Sequence, residues 1–384
     1  MRLISELLLL IEFLDELVFG AREAAWPLIR AELGLTYGQV GILLGLPRIV
    51  SGLIEPLLGV LGDVWRRRAL VVGGGVVFAL ALALSSVSRS YGWLLLSFVL
   101  FYPASGAFVS LSQATLMDLA PRHRDRNMAR WTLAGSLGVV AGPIALGAAA
   151  ALSLGWRAVY AGAALATVLL VLAARGASGT ATVHSGSEGE GTSLVEGLRG
   201  AWLALQRRSM LRWLTLLQFS DLMLDVLLGY LALYMVDVGQ VTSSQAALAV
   251  AVWSGAGLVG DYLIIQLLRR VDGLAYLRVS AAIELILLSA FLLVSPYAVK
   301  VCLLGLLGLF NAGWYSILKA QLYTAMPGKS GTAMAVSNIF GLAGALIPLA
   351  LGWVAQRAGL SVAMWLLLVG PVALLVGLPS RRAR

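Results

Sequence analysis

Residues 59–68 read GVLGDVWRRR and lie between two long apolar runs, near 36–61 and 69–87. Gly59 and Gly62 are small enough to let helices approach closely, Asp63 is an acid at the end of a run, and Arg66, Arg67 and Arg68 crowd a very short join. Apolar runs of this length are read as membrane-crossing helices, and arginine collects in the loops that stay on the cytoplasmic side. Outward from this join, stretches of about 20 predominantly apolar residues make twelve spans. They lie near 3–31, 36–61, 69–87, 91–118, 128–153, 156–174, 210–236, 242–268, 274–294, 297–325, 332–355 and 361–378.

A chain of 384 residues that is 60% hydrophobic and 12% charged, with a mean hydropathy of +0.90, cannot hide its apolar surface in one water-soluble core. The composition predicts an all-α polytopic membrane protein, because lipid offers backbone amides no partner and the spans lack the alternation of a barrel. The net charge of +9 does not point to nucleic acid. With the N-terminus inside, roughly 20 of the 28 Lys and Arg fall in cytoplasmic loops, so the positive-inside bias accounts for them. The expected location is the cell (inner or plasma) membrane, with both termini cytoplasmic. Glu12, Asp15 and Glu16 interrupt what would be the core of a signal peptide, so the first span is expected to stay in the mature protein. Cys302 is the single cysteine, which leaves no intrachain disulfide and no thiol metal site.

Shifting the chain against itself by about 206 residues aligns its two halves, a sign of internal repetition. Ala114, Leu116, Pro121, Met128, Ala129, Gly135 and Gly138 fall on Ala320, Leu322, Pro327, Met334, Ala335, Gly341 and Gly344. Thr36 and Gln39, a capping-box pair opening the second span, fall on Thr242 and Gln245 opening the eighth. Six spans per half give both halves one orientation. The expected domains are 1–174 and 210–384, two pseudo-symmetric six-helix bundles, joined by a cytoplasmic linker over 175–209. The first part of that linker is rich in Gly, Ser and Thr, and 193–208 reads as an amphipathic helix with Leu194, Leu198, Trp202 and Leu205 on one side.

An ionisable residue in mid-span is costly unless it faces a cavity or a partner. On the first helix Glu12, Asp15, Glu16, Phe19, Arg22, Glu23 and Trp26 fall within a sector of roughly 120°. On the second, Arg48, Ser51 and Glu55 share a face. The seventh carries Gln218, Asp221 and Asp225, the eighth Asp261, the ninth Glu284, and the tenth Asn311, Tyr315 and Lys319. Under the repeat, Asp15 falls on Asp221 and Glu55 on Asp261, so acids occupy matching places in both halves. Two readings stand: interhelical bonds that hold each half together, strongest for Glu55 and Asp261, or binding of protons, cations or substrate, with Asp15, Glu16, Asp221 and Asp225 foremost. Acids crowded in a low-dielectric cavity suit proton coupling, and about nine mid-span acids against Arg22, Arg48 and Lys319 favour a cationic cargo or coupling ion. Trp26, Tyr102, Trp253, Trp314 and Tyr315 are aromatic faces on which a flat or cationic ligand could stack.

The join at 59–68 resembles the loop between the second and third helices of the major facilitator superfamily of transporters, with arginine at Arg66 where that family usually has glycine. The resemblance implies that Asp63 makes a cytoplasmic gate contact beside Arg66, Arg67 and Arg68, and that Asp118 and Arg126, with Pro121, form the family's second junction. It implies that helices one, four, seven and ten line a central cavity. In the fifth span Gly138, Gly142, Pro143 and Gly147 are spaced as in the motif of the family's proton-coupled antiporters, which implies export; Gly344, Pro348 and Gly352 are a blurred copy. Those antiporters usually carry an arginine in span four, where this chain has Tyr102 ahead of Gly106. Arg22 or Arg48 is then the substitute, or coupling uses the acids alone, or is absent.

These readings give a secondary active transporter that moves a small molecule by alternating access, through proton-coupled efflux of lipophilic or cationic compounds. The alternative is a cation-coupled symporter or facilitator for a sugar, lysolipid or other metabolite. No cofactor is expected beyond a proton or sodium as coupling ion, and the protein is expected to be a monomer in the lipid bilayer. An enzyme is excluded by the want of a nucleophile or metal set, with only His123 and His184 and no HExxH. An ATP-driven pump is excluded by the want of a Walker A sequence.

Overall fold

The structure, a computed structural model, describes residues 2–64, 67–119, 124–176, 208–325 and 340–379. Arg66 and the linker over 177–207 lie outside the described residues, with the helix expected over 193–208 apart from Arg208. So do the surroundings of Gly59 and Gly62 and the side chains of Asp63, Asp118 and Arg126.

Among the described residues there is no strand, and eleven helices are long and apolar enough to cross a membrane. The first helix, Arg2–Leu33, has the length at 32 residues but carries the charged stripe; it completes the twelve spans. The next spans are Tyr37–Val64, Arg67–Val87, a fourth that opens with Tyr91–Ser105, Arg124–Ala151 and Gly155–Gly176. A seventh opens with Arg208–Asp221, followed by Ser243–Leu267, Gly273–Leu293, a tenth that opens with Tyr297–Phe310, an eleventh ending at Ala358 and a twelfth from Leu360 to Gly377. The two capping boxes form as the sequence predicts. Thr36 Oγ1 accepts from the Gln39 amide at 3.2 Å while Gln39 Oε1 accepts from the Thr36 amide at 2.9 Å, and Thr242 with Gln245 repeats this at 3.2 and 3.0 Å.

The chain forms two compact units, Met1–Ser187 with Thr242–Ala251, and Glu188–Val241 with Val252–Arg384. In the first, the first and fifth spans meet backbone to backbone. A Cβ at Gly138 would overlap Phe13 O, one at Gly142 would overlap Leu17 O and Ala21 N, and one at Gly20 would overlap Val139 O. Pro143 Cδ would stand 3.0 Å from that last Cβ. Small residues at such crossings replace the hydrophobic drive that lipid removes with close dispersion contact. A Cβ at Gly147 would meet nothing closer than 3.6 Å, so the tight contact stops short of it. The third span packs on the fourth through Phe78, whose ring centroid lies 4.7 Å from Phe101 and 5.7 Å from Phe108. At one end of this unit Glu32 accepts from Trp156 Nε1 at 2.6 Å and Arg157 Nε at 2.7 Å, and Arg157 also donates to Ser86 O.

In the second unit the eighth and tenth spans make the close approach, with a Cβ at Gly308 overlapping Trp253 O. The ninth span buries Ser280, Glu284, Leu288 and Phe291 along its packed face. Tyr230 of the seventh donates to Pro348 O of the eleventh at 2.7 Å.

Candidate functional site

Three spans that look continuous by hydropathy are irregular, and each irregularity stands beside an acid or an amide. The fourth span runs Tyr91–Ser105, widens into a π-helical turn at Gly106–Ser110, and resumes as Leu111–Leu119. Pro103, with no N–H to give, lies just ahead of that turn. The seventh span widens the same way at Leu222–Val226, between Arg208–Asp221 and Leu227–Asp237, so Asp221 precedes the turn and Asp225 lies within it. The tenth span is interrupted outright at Asn311–Gly313 before it restarts as Trp314–Thr324. Gly313 takes φ +76°, a left-handed conformation that side chains disfavour.

In the first unit these features gather the acids. Ser105, the last residue before the π-turn, donates to Asp15 at 2.9 Å. Glu55 accepts from Ser51 at 2.7 Å within its own helix, and its Cγ would lie 2.9 Å from a Cβ at Gly106. Glu12 is buried, bonded to the Trp131 indole, and its Oε1 would stand 2.7 Å from a Cβ at Gly135. Glu16 lies against the same glycine and Gly138. Glycines of the fourth and fifth spans therefore make the room in which Glu12, Glu16 and Glu55 sit, and Ser105 of the fourth binds Asp15.

A turn and a half further along the first helix lies a second group. Arg22 and Glu23 are 2% and 1% exposed and pair with each other, and Trp26 Nε1 donates to the other Glu23 oxygen at 2.9 Å. Arg22 Nη1 donates to the Tyr102 hydroxyl at 2.5 Å, and its guanidinium lies over the Phe19 and Tyr102 rings. The place where span four lacks an arginine is thus reached by one from span one. A buried pair of this kind is stable only when both members are bonded, and here they are. Arg48 is half-buried on the second span. Trp26 is fully buried in this network, with its ring edge-on to Phe98.

In the second unit the broken tenth span is held from three sides. Asn311 Nδ2 donates to Met223 O, a carbonyl within the seventh span's π-turn, at 3.2 Å. Asp261 Oδ1 accepts from the Gly313 amide at 3.2 Å. The Tyr276 hydroxyl lies 3.1 and 3.0 Å from Phe310 O and Ala312 O, sharing its proton between carbonyls that the break sets free. Trp314 Nε1 donates to Ser280 Oγ at 2.9 Å. Asp221 and Asp225 are half-buried, Tyr315 is 52% exposed, and Lys319 Nζ stands 5.3 Å from the Tyr315 ring centre.

The two arrangements correspond. Under the 206-residue shift Ser105 falls on Asn311, and each sends a hydrogen bond from an irregular span to the first or seventh helix. Glu55 falls on Asp261, and each leans on the irregular stretch of its partner span, at Gly106 and Gly313. Sequence reasoning passed over Ser105, Tyr276 and Ser280, whose polar groups are common in membrane helices and carry no charge. Glu23 and Glu284 were visible as mid-span charges. Glu23's partner Arg22 is its sequence neighbour, which a search for partners across helices does not weigh.

The family model described as Major Facilitator Superfamily matches residues 8–348. The chain belongs to the Major Facilitator Superfamily. Among solved structures this superfamily member is similar to a bacterial homologue of the human lysosomal transporter Spinster, in an inward-facing and occupied conformation. That likeness has a TM-score of 0.78 and 16% identity over 98% of this chain and 95% of the other. It is also similar to the nucleoside transporter NupG, with a TM-score of 0.78 and 13% identity over 97% of each chain. No curated protein matches. At these identities the likenesses speak for the fold. Family and fold together make the chain a multi-pass membrane transporter rather than an enzyme, with a small molecule as its cargo.

Proposed function

We propose that the chain is a proton-coupled exporter of small lipophilic or cationic compounds. It works by rocking of two six-helix halves, residues 1–174 and 210–384, with both termini on the cytoplasmic side of the cell membrane, as a monomer. The observation that carries this reading is the gathering of Glu12, Glu16 and Glu55 at glycines and of Asp15 at Ser105 in the first unit, four acids near two arginines, Arg22 and Arg48, of which Arg22 is already matched by Glu23. Such a group has negative charge to offer a cation or to trade for protons, and little to hold an anion. Asp221 and Asp225 bring the same chemistry to the second unit, beside the broken tenth span. The first, fourth, seventh and tenth spans, which line the cavity in the resemblance drawn from the sequence, carry all of these acids but Glu55 and all of the irregular stretches, and Tyr315 and Lys319 lie on the last of them.

A cation-coupled symporter or facilitator for a metabolite is the second reading, favoured by the likeness to a nucleoside transporter and to a Spinster homologue. Proton movement in proteoliposomes under an imposed pH gradient separates the two. Addition of a lipophilic cation should trigger proton flux that falls at least tenfold in Asp15→Asn or Asp221→Asn. Uptake of a nucleoside, sugar or lysolipid with no proton movement would sink the exporter and leave the second reading.

A further inference from the structure

Glu284 stands at the middle of the ninth span, Gly273–Leu293, with 0% of its surface exposed, and neither carboxyl oxygen has a hydrogen-bond partner among the described residues. Every other described acid discussed above has a serine, an indole, an amide, an arginine or a half-open surface. Buried polar groups in folded proteins are bonded almost without exception, so an orphaned carboxyl calls for a specific occupant. Its helix gives the position meaning. Tyr276, Ser280 and Glu284 are spaced four residues apart and so follow one face. The first two of these bind the tenth span at its interruption, through Phe310 O, Ala312 O and the Trp314 indole. The Tyr276 phenol is within electrostatic reach of both Glu284 and Asp261.

Among the described residues the spans packed against the ninth show no cation paired with Glu284; from the seventh, Tyr234 donates to Leu292 O at 3.3 Å. On the tenth, Lys300 donates to Phe291 O at 2.7 Å and lies over the Tyr234 and Phe291 rings, while Lys319 lies over Tyr315. Tyr297 and Cys302 are the other titratable groups of Tyr297–Phe310, and the described part of the twelfth span has none. A metal cation would need a shell of oxygens, and among the described residues no group of three or more His, Cys, Asp or Glu is placed to form one. A proton needs no further ligand.

We infer that Glu284 is a proton-binding site of the second unit, and that its occupancy sets the fit of the ninth span against the broken tenth. Loaded, the neutral carboxyl packs among apolar neighbours and the contacts of Tyr276 and Ser280 close. Unloaded, a charge appears where nothing answers it, and the face must part or admit water. This rests on the proton-coupled reading above and places a carrier at a position outside the paired acids.

Infrared difference spectra of the full-length protein in lipid vesicles, titrated across pH, test it without any substrate. The wild type should show a protonated-carboxyl stretch at neutral pH that weakens as pH rises, and Glu284→Gln should lack one group's worth of it. Superimposable spectra would overturn the inference, and a band that emerges only when sodium is withheld would replace the proton with a metal cation. Glu284→Leu guards against a variant that misfolds for want of shape. A melting temperature at or above wild type at neutral pH supports a neutral, unbonded carboxyl, and a marked drop overturns it. A band lost in Glu284→Gln alongside transport that ignores pH would keep the site and retire the coupled-transport reading.

Discussion

Gly313 shows what a single position contributes. Its φ of +76° turns the tenth span out of its helix, and a Cβ there would stand 2.9 Å from Ile264 Cγ1 of the eighth span. Gly313→Ala adds strain of about 1–3 kcal/mol for a left-handed non-glycine residue, before any clash. Thermal unfolding in detergent micelles should show a lower midpoint, whereas Gly92→Ala, where a Cβ would meet open space, should leave it unchanged. The pair Asn311 and Gly313 is a turn signal in any soluble sequence. Here it was hidden because Tyr297–Leu322 holds an 18-residue stretch with a mean hydropathy of 1.7. Charge was legible residue by residue, since hydropathy makes it conspicuous. The partners were not, because Ser105, Tyr276 and Met223 O act through geometry that only folding supplies.

Among elements, the fifth span separates what a spacing implies from what packing uses. Gly138, Gly142 and Pro143 lie against the first span, and Gly147 has ordinary distances around it. Gly142→Leu should therefore abolish accumulation of folded protein, since its side chain would have to enter the backbone of Leu17 and Ala21. Gly147→Ala should express and fold as the wild type does, which size-exclusion chromatography of the two variants would report. The glycine pattern was readable in the sequence, as were the other spans to within a few residues; the start of the eleventh, read at 332, lies outside the described residues. Gly20, its counterpart on the first helix, was not, because a lone glycine among charged residues has no periodic signature. The π-turns at Gly106–Ser110 and Leu222–Val226 escaped for a similar reason: one extra residue in a turn changes neither length nor apolarity enough to register.

For the whole molecule, the repeat was the deepest feature legible beforehand, and the structure gives it physical content through Ser105 with Asn311 and Glu55 with Asp261. The proposed topology puts the join at Ser295 outside and the one at Arg270 inside, and both positions are exposed. In a Cys302→Ala background, Ser295→Cys should react with a membrane-impermeant thiol reagent on intact cells and Arg270→Cys only after lysis. The reverse pattern would invert the protein in its membrane. The glycine seam between the first and fifth spans has one further consequence. It acts as a dowel: Gly20, Gly138 and Gly142 fix the rotation of the first helix about its own axis, and hence the compass bearing of every acid before it. One residue spliced in between Glu16 and Leu17 would leave Gly142 seated on Leu17 and Ala21 but swing Phe13 from under Gly138, and Glu12, Asp15 and Glu16 with it, by about 100°. The acids would then point away from the glycines that make room for them, in a protein whose composition and charge had hardly changed.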